Sequence, residues 1–259
     1  MLFIIILTYN EQSDILDCID SARFADKVLV FDSYSTDDTV SLARSVLAEV
    51  IQHKFENYAA QRNAALEAAR AQQCDWVFFL DADERISLDL AHEIRESITY
   101  PEFAGFQVPR HNFIFGKLTQ GAGWYPDYQM RLLRAGAAQF ASDQPVHEVV
   151  ELQGRQGTLN HPLIHYNYRS FAQFIHKQRR YAKLDAQSAF GKAIRPRFRQ
   201  YLSMPVRHFW WRFVTLRGYS DGLHGLRMSL LMAIYELYRL LLLRQLWQIE
   251  DYRTRSDHG

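Results

Sequence analysis

Residues 78–86 read FFLDADERI, an apolar run that stops at three carboxylates within four positions. The continuous apolar character from Trp76 to Leu80 predicts a strand buried on both faces, as strands of parallel sheets are. Leu2 to Leu7 and Lys27 to Phe31 share that character. Between these runs, residues 14–22, 39–48 and 58–71 carry helical spacing. Strands alternating with helices predict an α/β fold with a parallel sheet covered on both faces. Ligands of such sheets bind beyond the carboxyl ends of the strands. The polar stretches that follow each strand are therefore the ones to inspect: Thr8-Tyr9-Asn10-Glu11, Asp32 to Asp37, and Asp81-Ala82-Asp83-Glu84.

From Phe103 to Tyr168 the pattern changes to short strands broken by Gly and Pro, predicting an antiparallel extension that makes the sheet mixed. Residues 171–190 then read as an amphipathic helix. The expected organisation is one domain over residues 1–190, with halves 1–100 and 101–170, followed by a helical extension over 191–259. In that extension FWWRFVTLR joins aromatics to arginines, and Leu230, Ile234, Leu237 and Leu241 form an apolar stripe. Two readings of it stand: helices packed on the main domain or on a second subunit, or helices lying on a membrane surface.

Net charge is +1 over 259 residues, yet no acidic residue falls between Asp185 and Asp221, an interval holding Lys192, Arg195, Arg197, Arg199, Arg207, Arg212 and Arg217. Tryptophans among these arginines suit a lipid surface better than nucleic acid. Cys18 and Cys74 lack metal spacing or a disulfide framework and read as small core residues. With no basic leader and no uncharged run of about 18 apolar residues, a cytoplasmic protein is expected, in peripheral contact with the inner face of the plasma membrane.

Carboxylates at i and i+2 leaving one strand can converge on a cation, and hard oxygen ligands select Mg²⁺ or Mn²⁺, ions that also bind substrate phosphates. The DAD stretch reads as a clamp for a metal diphosphate, or as an acidic turn before a helix capped by Ser87. Asp32 can accept the N3–H of a uracil or hold a ribose. The STDDT that follows it starts a helix.

In order and spacing, ILTYNE (6–11), VFDSYSTDDT (30–39), QRNAALEAA (61–69) and WVFFLDADERI (76–86) resemble the nucleotide-binding half of inverting family 2 glycosyltransferases with the GT-A fold. AGWYPDYQMRLLR (122–134), PVHEVV (145–150) and GYSDGLHGL (218–226) resemble the subgroup acting on heptose of bacterial lipopolysaccharide core. Tyr34 stands where that subgroup carries glycine.

The resemblance implies a metal-dependent transferase that moves a hexose, glucose from UDP-glucose, to a hydroxyl of a lipid-linked glycan. It implies Asp83 as principal metal ligand, with Asp81 reaching the ribose or the metal through water, and Ala82 between them at the nucleotide. Thr8, Tyr9, Asn10 and Glu11, with Asp32, would line the nucleoside. Arg62 and Asn63 would touch the diphosphate or hold the DAD loop. The base that takes the acceptor's proton would be Glu148 or Asp127, with His147 a metal or phosphate contact. Another surface glycan or a protein acceptor fits the same framework. So does a non-catalytic binding module on a GT-A scaffold, or a homo-oligomer formed through the C-terminal helices. A nucleotidyltransferase would need a Gly-rich basic loop after the first strand, and LTYNEQ is not one.

Overall fold

The computed structural model describes residues 1–141 and 150–256. Glu148 and His147 lie outside the described residues. The chain forms two compact units: unit 1 comprises Met1–His111 and Asp127–Tyr166, and unit 2 comprises Asn112–Pro126 and Asn167–Gly259.

In unit 1, strands β1 (Leu2–Thr8), β2 (Lys27–Asp32), β3 (Glu49–Gln52) and β4 (Trp76–Asp81) are parallel in the order β3-β2-β1-β4. Helices α1 (Ile15–Ser21), α2 (Thr39–Ser45) and α3 (Tyr58–Arg70) connect them. Strand alternation divides the core. Leu2, Ile4, Ile6, Val30, Phe78 and Leu80 face one layer, and Phe3, Ile5, Leu29, Phe31, Val77 and Phe79 face the other. Both faces are covered, which is why the strands read as unbroken apolar runs. Cys18 and Cys74 are buried within these layers.

The helical pattern over 39–48 overran its element. Leu47 takes a left-handed φ of 63°, which ends the helix, and residues 49–52 then form β3.

Beyond β4 the sheet turns antiparallel. β8 (Tyr128–Arg134) pairs with β4 through Trp76↔Arg134 and Phe78↔Leu132, and β6 (Phe103–Ile114) pairs with β8, with β7 (Lys117–Thr119) and with β11 (Arg155–Thr158), while β9 (Ala138–Phe140) pairs with β10 (Val150–Leu152). The two-residue β5 (Glu84–Arg85) follows the DAD turn and pairs antiparallel with β12 (Leu163–Tyr168), setting His165 opposite Glu84. Helix α4 (Leu88–Ser97) begins at Ser87, whose side chain accepts from the Leu90 N–H, a cap that stabilises a helix by about 1 kcal/mol.

In unit 2, α5 (Phe171–Gly191) and α7 (Gly222–Ser256) pack around Ile114, Tyr168, Phe174, Met228 and Met232, and α6 (Gln200–Trp210) lies against α7. A smaller cluster joins Ala186 and Ala189 of α5 to Leu243 of α7. Within unit 2, α5 thereby buries its apolar face against α7. Among the described residues no helix is long and apolar enough to cross a membrane.

Candidate active site

Register brings the strand ends together. Thr8 sits beside Asp32, and Leu7 beside Asp81. With strands about 4.8 Å apart, Asp32 and Asp81 flank the end of β1 at roughly 10 Å.

Asp32 is fully buried and its carboxylate is occupied. The Ser35 N–H donates to it at 2.9 Å and the Gln52 amide at 3.0 Å, while the Ser35 and Thr8 hydroxyls complete the set. It thereby organises the loop after β2. That loop is laced to the loop after β1: the Asn10 N–H donates to Ser35 Oγ, the Thr36 N–H to Asn10 Oδ1, the Glu11 N–H to Thr39 Oγ1, and the Gln12 N–H to Asp37. Asn10 and Tyr34 take left-handed φ values of 58° and 59°. At Tyr34 this is the conformation glycine adopts without strain. Tyr9 and Tyr34 are both exposed at the loop tips.

The two aspartates of the DAD turn have different surroundings. Arg131 of β8 pairs with Asp81 at 2.5 Å, and Arg62 of α3 approaches it at 3.6 Å. Burial opposes ionisation of Asp81, but the charges of Arg131 and Arg62 outweigh it and hold the carboxyl well below the usual carboxylate range. The Arg62 guanidinium also lies 5.2 Å from the Phe79 ring centroid and 5.7 Å from that of Phe140. Asp83, by contrast, is partly exposed, and its oxygen lies 3.5 Å from His165 Nε2. The Tyr166 N–H donates to the Asp83 carbonyl, which fixes the turn against β12. Ala82 is buried between them, and its carbonyl accepts from Arg85, which also reaches Asp14 at the start of α1.

Glu84 is wholly buried and pairs with Arg131 at 2.7 Å and Arg110 at 3.3 Å, while also accepting from the Asp81 N–H. It stands on β5, ahead of the helix. Arg110 in turn grips Asp127 through Nε and Nη2 at 2.9 and 2.6 Å, and the Gln129 amide donates to the other Asp127 oxygen. Asp127 is thus the far end of a chain of charges: Asp81, Arg131, Glu84, Arg110, Asp127. Asn63 is directed elsewhere, pairing both its amide atoms with the Phe140 backbone, on the strand β9 (Ala138–Phe140).

Sequence reasoning singled out none of His165, Arg131 and Arg110, and took Glu84 only as the end of the acidic stretch after β4. Only Glu84 carried a signal, its adjacency to the DAD turn. The others come from later strands, and their convergence on β4 is a product of sheet order.

A divalent ion fits this donor set. Asp83 offers a hard oxygen and His165 an imidazole, both acceptable to Mn²⁺, with substrate phosphate and water completing the shell. Asp81, already neutralised by two guanidiniums, is the poorer ligand. Among the described residues no three His, Cys, Asp or Glu side chains converge as a metal cluster.

The sequence profile of glycosyl transferase family 2 matches residues 3–143, just over half of the chain. The lipopolysaccharide core biosynthesis glycosyltransferase LpsC of Rhizobium meliloti (strain 1021) is 27% identical over 244 residues, covering 89% of this chain and 87% of LpsC. A glycosyltransferase of Rickettsia felis is 29% identical, over 97% of this chain and 93% of its own. The mannosyltransferase PcManGT from Pyrobaculum calidifontis, solved with GDP-Man and Mn²⁺, is similar in fold with a TM-score of 0.54 at 16% identity, covering 95% of this chain and 87% of that one.

Proposed function

The chain belongs to glycosyl transferase family 2, and from that premise we propose that it transfers glucose from UDP-glucose, with inversion, to a hydroxyl of a lipid-linked glycan of the lipopolysaccharide inner core. The observation that carries the reading is the division of labour in the DAD turn, where Asp83 faces His165 while Asp81 is held by Arg62 and Arg131. Asp83 and His165 would hold Mg²⁺ or Mn²⁺, which supplies positive charge against the departing nucleoside diphosphate. Arg62 and Arg131 add cationic charge at the same strand end, where a second anion can share them with Asp81. The laced loops after β1 and β2 form the nucleoside side, with Tyr9 and Tyr34 exposed on it and Asp32 holding its backbone.

Inversion requires a base on the acceptor hydroxyl. Both Asp127 oxygens are already engaged by Arg110 and Gln129, which favours Glu148 for that role. The similarity to LpsC over nearly its whole length supports a core-oligosaccharide acceptor.

A donor screen tests the reading: hydrolysis of UDP-, GDP- and dTDP-sugars with Mn²⁺, followed by mass spectrometry of lipid extracts from a deletion strain. UDP-glucose turnover and a glucose-deficient core are the expected results. Preference for a GDP-sugar overturns the donor assignment. By calorimetry, Asp83→Ala should lose Mn²⁺-dependent UDP binding, whereas Glu148→Gln should retain it and lose transfer. Full turnover by Glu148→Gln returns the base to Asp127.

A further inference from the structure

Helix α6 buries none of its residues. Along it and the turn before it, Phe198, Leu202, Val206 and Trp210 follow one another at four-residue spacing, which sets successive side chains on one face. They are 87%, 76%, 58% and 62% exposed. Tyr201, Met204, His208 and Phe209, on other faces, are only partly exposed, so the helix lies with its greasiest side outward.

The charge carried by this segment has a single sign. Arg197, Arg199, Arg207 and Arg217 are all exposed. Acidic residues are absent from 186 to 220. Trp211 and Val214, in the π-helical turn Trp211–Thr215 that continues α6, prolong the exposed apolar surface. An apolar stripe edged by arginine and tryptophan suits the layer between lipid headgroups and acyl chains, where rings and guanidiniums both find partners. A second copy packing this same segment against it would have to match four arginines with carboxylates that the segment does not carry.

We propose that α6 is a docking surface for an anionic phospholipid bilayer, with Leu202, Val206 and Trp210 entering the interface and Arg199 and Arg207 meeting lipid phosphates. The surface stands on its own geometry. Its purpose rests on the lipid-linked acceptor of the preceding section, since a docked enzyme meets such an acceptor in two dimensions.

Sedimentation of the full chain with vesicles, in the absence of donor and acceptor, tests the surface separately from the reaction. Binding to phosphatidylcholine vesicles containing phosphatidylglycerol should be strong at low salt and weak for phosphatidylcholine alone. Each arginine reversed, as in Arg199→Glu or Arg207→Glu, should weaken it at least about fivefold. The double variant Leu202→Glu/Val206→Glu should weaken it at least about tenfold. Thermal melting and UDP-glucose hydrolysis should stay as in the parent, because these side chains are exposed and outside the active site. Three outcomes overturn the proposal: no vesicle binding by the parent chain, equal binding by the double variant, or a dimer seen by light scattering that the double variant converts to monomer.

Discussion

Glu84 shows how one side chain can organise a site without touching substrate. It is wholly buried between Arg131 and Arg110, and removing it leaves two guanidiniums without their shared counter-ion in a dry setting. Glu84→Ala should destabilise unit 1 by about 3–5 kcal/mol, read as a drop in the denaturant midpoint. A loss under 1 kcal/mol would mean that water or Asp127 replaces it. The cysteines give a second check at this scale. Burial pushes the Cys74 thiol up to about 11 and raises Cys18 well above its ordinary value. Thiolate being the reactive form, neither should react with a disulfide reagent at neutral pH until the chain is unfolded. Rapid labelling of the native protein would contradict the packing.

At the scale of elements, the entry to α7 depends on close backbone approach. A Cβ on Gly225 would collide with the Gly218 carbonyl oxygen, and one on Gly218 would meet the Arg212 carbonyl at 2.8 Å. Gly225→Ala should therefore cost about 1–3 kcal/mol or more, measured by equilibrium unfolding. Nearby, Asp221 accepts from the Gln120 and Gly121 N–H groups, and His224 Nε2 lies 2.9 Å from Thr119 Oγ1. Burial moves the His224 pKa below its ordinary 6.5, with the charge of Asp221 acting against this and those of Lys117 and Arg227 with it. The fold thus prefers the neutral ring. Its contribution is complete above the unfolded value and is lost as pH falls below it, by up to about 1.4 kcal/mol per pH unit. Melting temperature should decline between neutral pH and about pH 5, and His224→Gln should flatten part of that decline. His208 and His111 are lowered by burial too and account for a remainder.

For the whole molecule, ligand linkage is the accessible observable. If donor and metal bind only the folded chain, UDP-glucose with Mn²⁺ at a hundred times its Kd adds about 2.7 kcal/mol. That corresponds to roughly 5–10 °C in melting temperature. A chelator or Asp83→Ala should abolish the shift. A shift that survives both would place nucleotide affinity in the laced loops and Arg62 alone. The near-neutral total charge conceals the basic stretch of 192–217, so ionic strength should act on what the C-terminal helices meet.

The apolar runs ending at Thr8, Asp32 and Asp81 determined the parallel half of the sheet and the edge where polar groups gather, because local periodicity and burial on both faces are written in consecutive residues. The DAD turn was legible for the same reason: a buried strand leaves no freedom in where its next side chains emerge. Local sequence could not say which carboxylate would be neutralised by arginine and which left to an imidazole. Arg62, Arg110, Arg131 and His165 come from α3, β6, β8 and β12, and only strand order sets them beside residues 81–84. Nor did periodicity decide which side of α6 would be left outward. The stripe fixes a helix's apolar face, whereas its neighbours in the fold decide whether that face is covered.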